Sequence, residues 1–155
     1  MNPSEVRLIN TSLLLLVLTG GAGVFVLIYP QYAPAFRVAH LHLGIVGFFL
    51  QFVMGVAFWL MPRPGGMNRQ TRLATVVLIT LNTGVIIRTV FDPMWRFTGI
   101  SAYQTWLIVG GSLQLAAMIM FAWAMKQRVV TAAEIVRRRS IARQSTSSKE
   151  SPESK

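Results

Sequence analysis

The chain has 155 residues, of which 53% are hydrophobic and 13% charged. Soluble domains carry roughly 25% charged residues, so water alone is a poor solvent for this composition. Fifteen Lys and Arg against five Asp and Glu give a formal charge of +10, while the absence of cysteine excludes disulfides, thiolate-bound zinc, iron–sulfur clusters and a cysteine nucleophile.

The architecture is read from gaps between charges, because about 20 mostly apolar residues are needed to cross a hydrocarbon core of about 30 Å. The first gap, between Arg7 and Arg37, has its apolar part from Leu8 to Tyr29, and the second runs from Val38 to Met61. The third runs from Leu73 to about Val90 and the fourth from about Ile100 to Met125. All are continuously apolar, unlike the alternating strands of a membrane barrel. The expected fold class is therefore an all-α integral membrane protein, an up-and-down bundle of four transmembrane helices over residues 1–126. A signal peptide is the poorer reading of the first segment despite Ala33-Pro34-Ala35. Its apolar run exceeds the roughly 7–15 residues of a signal, and its flank holds Glu5 as well as Arg7.

Four spans put the N-terminus, the loop Pro62 to Arg72 and the C-terminal region on one side. That side collects Arg7, Arg63, Arg69, Arg72, Lys126, Arg128, Arg137, Arg138, Arg139, Arg143, Lys149 and Lys155, against Arg37, Arg88 and Arg96 on the other. Basic residues accumulate in cytoplasmic loops, so both termini are expected in the cytoplasm of a bacterial inner membrane. The positive charge then reads as topology and attraction to anionic lipid, not as a nucleic-acid interface. Tyr29, Tyr32, Trp95, Tyr103 and Trp106 fall near predicted outer ends, and Trp59 and Trp123 near inner ones. Pro30, Pro34, Pro62, Pro64 and the Asp92-Pro93 pair read as connections. Beyond the fourth span, Thr131 to Glu134 fits a capping box opening a basic juxtamembrane helix, which assigns 127–143 to that helix. Residues 144–155 read as a disordered tail.

The informative stretch is His40-Leu-His-Leu-Gly-Ile-Val-Gly, continuing to Met61-Pro62-Arg63. At about 100° per residue, His40 shares a face with Gly44, Gly47, Gln51, Gly55 and Phe58, while His42 points about 200° away. A single metal held by both is disfavoured. Glycines on the His40 face provide either close helix contact or a groove for a flat ligand, with a neutral imidazole offering its lone pair as an axial haem ligand. Arg88, the charge well inside a predicted span, has three expected fates: pairing with a haem propionate, pairing with Asp92, or snorkelling to the outer interface. Asn82, Thr83, Gln51 and Gln114 are expected to bond between helices. Gly20, Gly21 and Gly23, with Gly110 and Gly111, read as close-packing surfaces.

The His40-Leu-His-Leu-Gly stretch with Gly47, Gly55 and the closing Met-Pro-Arg resembles the second transmembrane helix of haem-copper oxidase and nitric oxide reductase catalytic subunits. It is also similar to helices of a haem- and copper-containing membrane family linked to nitric oxide stress. The resemblance covers about 25 residues and implies haem as cofactor, with His40 as axial ligand and His42 as its substitute. Those catalytic subunits use many more histidines than the two present here, so neither a copper site within one copy nor a complete oxygen- or nitric-oxide-reducing enzyme is implied. The expected function is a small haem-binding membrane protein in electron transfer or diatomic-gas response, with a second copy or a larger respiratory complex as partner. The alternative is a cofactor-free subunit or assembly partner of such a complex. No carboxylate pair or activated serine in the spans suggests hydrolytic catalysis.

Overall fold

The computed structural model describes residues 3–61, 67–126, 128, 137 and 139–141, all but a few of them helical. In chain order these form α1 (Pro3–Ile28), a 3-10 turn (Pro30–Tyr32), α2 (Ala33–Leu41), a π-helical segment (His42–Leu50), α3 (Gln51–Leu60), α4 (Met67–Thr98) and α5 (Ser101–Lys126). Four stretches, Pro3–Ile28, Pro30–Leu60, Arg72–Thr98 and Ser101–Lys126, are long and apolar enough to cross a membrane. Among the described residues there is no strand.

The second stretch is one helical rod of changing pitch. Its buried residues include Ala35, Ala39, Leu43, Gly47 and Gln51, a repeat of four residues. At 3.6 residues per turn such a stripe drifts by about 40° with each repeat. The wider turn of the π segment takes up that drift, so one edge stays against the bundle. π-helical turns interrupt α-helices mostly where function or packing demands them.

Several boundaries differ from those expected. Pro30 and Pro34 stand in the first turns of helices, where a missing amide hydrogen costs nothing. The third helix is longer than Leu73 to Val90, and Asp92-Pro93 does not end it: Pro93 lies inside α4. Arg96 reaches back over Pro93 to Asp92, with Nε 3.4 Å from Oδ2, tying the turn that the proline weakens. The stop is Gly99, whose φ of +67° is the left-handed cap that glycine adopts freely; its N–H donates to Trp95 O at 2.8 Å.

Neighbouring rods run antiparallel. Positions on the second rod meet α1 in reverse order: Gly55 faces Leu8 and Ile9, Gly47 faces Leu15, Gly44 faces Thr19, and His40 faces Gly23. Helices α4 and α5 pack most closely, because a Cβ on Gly84 would stand 2.7 Å from Gly110 O and one on Gly110 only 2.9 Å from Ile87 Cγ2. The apolar core of Leu8, Met54, Phe58, Ala74, Val77, Leu81, Ala117, Ala124 and Met125 occupies the end of the bundle away from Gly99. Of the expected juxtamembrane helix, Arg137 and Arg139–Ile141 are helical. The rest of 127–143 apart from Arg128, and the expected tail 144–155, lie outside the described residues.

Candidate functional site at the Gly99 end

The glycine face of the second rod is not the open slot that a flat ligand requires. A Cβ at Gly44 would meet Thr19 Cγ2 at 3.0 Å, one at Gly47 would meet Leu15 Cδ1 at 3.1 Å and Val85 Cγ1 at 3.2 Å, and one at Gly55 would meet Ile9 Cγ1 at 2.9 Å. Of the two readings of these glycines, close packing is the one these contacts fit. Gln51 on this face is fully buried and bonds across to α1, its Nε2 donating to Leu8 O at 3.2 Å and to Thr11 Oγ1.

One turn nearer the Gly99 end the packing opens. His40 points at α1, with its Cε1 3.4 Å from where a Cβ on Gly23 would lie. It borders a groove of about 570 Å³ whose walls are Gly23, Val26, Leu27, Ala33 and Pro34, with Arg37 one turn before His40. This volume is within the roughly 300–1,000 Å³ of small-molecule sites. The Nδ1 of His40 is buried with no hydrogen-bond partner. Removing a ring nitrogen from solvent without a partner costs on the order of 1–3 kcal/mol, and because Nδ1 is closed off, the nitrogen left to face an occupant of the groove is Nε2. Gly23, read as a packing residue, is what leaves room beside the ring.

His42 points elsewhere, as the helical offset predicts, and lines neither this groove nor the neighbouring one between Gln31, Pro34 and Trp95. Its Nδ1 lies 3.0 Å from Val38 O. A carbonyl only accepts, so Nδ1 carries the proton and, in the neutral ring, the lone pair sits on Nε2. Among the described residues no three His, Asp or Glu side chains gather.

Arg88 does not join His40. Its side chain lies against α5, with Cγ 3.0 Å from a Cβ position on Gly110 and Nη1 3.2 Å from one on Gly111. The expected pair with Asp92 is not formed either, because Asp92 is held by Arg96. Asn82 bonds to Leu78 O on its own helix at 2.8 Å rather than across the bundle. Gln114, on α5, leaves Nε2 buried and unpartnered.

The sequence reading missed Arg128, assigned there to the charged inner surface. It is only 2% exposed, with Nη1 donating to Phe58 O at 2.9 Å and the guanidinium 4.9 Å above the Phe58 ring. It thus serves the last carbonyls of α3, where a cation also suits the helix dipole. No local signal separates such an arginine from its basic neighbours. Comparison with protein families, characterised proteins and solved structures gives no match. None of these comparisons supports the resemblance of the second rod to an oxidase helix.

Proposed function

We propose that this chain is an integral membrane protein of four spans, with both termini in the cytoplasm, that binds haem at the outer end of its first two helices through His40. The observation that carries this reading is His40 at the edge of an apolar groove with Arg37 beside it, its Nδ1 closed off inside the protein so that Nε2 is the nitrogen left for a ligand. The fit is chemical. Apolar walls from Gly23 to Pro34 suit the face of a macrocycle, Gly23 keeps its plane clear, and the Arg37 guanidinium suits a propionate. Bound there, haem would supply one-electron redox chemistry and a face for a diatomic gas. The protein's part is to offer Nε2 of His40 to the groove and to offset acidic charge with Arg37. Gly44, Gly47 and Arg88, expected among the cofactor contacts, are withdrawn from that role, and His42 is left as a substitute ligand turned the other way.

Purified in mild detergent after expression with haem supplied, the protein is expected to show a Soret band. His40→Ala should abolish or shift it and Gly23→Leu, which fills the groove, should remove it, while His42→Ala should leave it in place. No Soret band in the parent protein, or one untouched by His40→Ala and Gly23→Leu, refutes the haem reading. A cofactor-free membrane subunit is the reading that would then remain.

A further inference from the structure

Arg88 is a cation in the interior of an apolar helix, and its side chain runs the wrong way for escape. Helices α4 and α5 are antiparallel, with Gly84 opposite Gly110 to Gln114 and the Arg88 Cγ opposite Gly110. Gly111, which Nη1 reaches, is therefore level with residues before Arg88 in α4, so the guanidinium extends back toward the N-terminus of that helix, away from the Gly99 end. Helical side chains lean in that direction. The snorkelling route expected from the sequence is not taken. Nε is buried without a partner, and none of the guanidinium nitrogens is met by an acceptor among the described residues.

A charge in this position is stabilised by a counter-charge. Of the five Asp and Glu in the sequence, Glu134, Glu150 and Glu153 follow the last span. Asp92 is buried against Arg96, and Glu5 is buried at the opposite end of the bundle. A second copy of this chain thus has no free carboxylate to bring to the depth of Arg88. On α5 the small residues Gly111 and Ser112 lie between exposed Ile108 and Leu115, spaced three or four residues from Gly111 and hence on its face. A second unpartnered donor, Gln114 Nε2, is buried in the same α4–α5 interface, its residue 5% exposed.

We infer that this face of α4 and α5 docks a membrane-spanning helix of a different protein, one that carries an Asp or Glu at mid-bilayer depth and seats it on Arg88 over the Gly111–Ser112 notch. The inference rests on the four helices spanning a membrane and is independent of haem at His40.

The test uses the full chain reconstituted in phosphatidylcholine vesicles, with flotation first confirming insertion; failure to insert would sink the membrane reading itself. Binding of a labelled Leu/Ala transmembrane peptide with one central Asp is compared, by energy transfer, with the same peptide bearing Asn. The Asp peptide is expected to bind about tenfold tighter, a preference kept in Arg88→Lys and lost in Arg88→Gln. The Soret band at His40 should be indifferent to both. Equal binding of the two peptides, an Asp preference that survives Arg88→Gln, or self-association of the protein that Arg88→Gln abolishes would each overturn the inference.

Discussion

Arg128 and Arg88 show how differently one residue type is used within this chain. Arg128 has carbonyl acceptors on Phe58 and Met61, at 2.9 and 3.5 Å, and an aromatic face beneath it. Removing it strips the end of α3 of its donor and opens space over the Phe58 ring. Arg128→Ala is expected to destabilise the bundle by about 2–3 kcal/mol in detergent unfolding, far more than an exposed arginine, whereas Arg139→Ala should be neutral. Neither fate was legible from charge patterning, which counts arginines by side of the membrane but carries no information on which carbonyl each one reaches. The opposite directions of His40 and His42 were legible, because an angular offset on a helix is a local property. That His40 meets a glycine of α1 depends on a neighbour 17 positions away in the chain.

At the scale of elements, glycine has two meanings here that sequence alone does not separate. Gly84 and Gly110 are where the backbones of α4 and α5 come together, and a methyl group at Gly84 would meet the fixed oxygen of Gly110 at 2.7 Å. Gly20 and Gly21 have nothing within 4 Å. Gly84→Ala should therefore push α4 from α5 and cost about 1–3 kcal/mol, while Gly20→Ala should be neutral or stabilising by up to about 1 kcal/mol through helix propensity. Thermal unfolding of both variants in one detergent checks the contrast; equal shifts would contradict the packing described. The same scale explains why the end of α4 was misplaced. Asp92-Pro93 has the composition of a turn, but the Asp92–Arg96 pair spans it and the left-handed Gly99 supplies the stop. The proline costs α4 the bond from its own amide to Thr89 O without ending the helix, and the decisive cap lies six residues on.

For the whole molecule, the proposed topology makes a prediction that needs no ligand. The chain has no cysteine, so single cysteines can be introduced without background. In intact cells a membrane-impermeant maleimide should label Gln31→Cys, in the turn after α1, and Ser101→Cys, the exposed first residue of α5, and should reach Arg137→Cys only after permeabilisation. Labelling in the reverse pattern would invert the bundle and move the His40 groove to the cytoplasmic side. The sequence by itself determined that there are four long apolar helices and roughly where each lies, because the length of an uncharged run is a local quantity that needs no partner to be read. Tertiary structure alone decided that the glycines beside His40 are filled by α1, that the opening sits at Gly23 instead, and that Arg88 turns inward to α5. Each of these depends on which two helices touch and at what register, and hydropathy along one chain is blind to both.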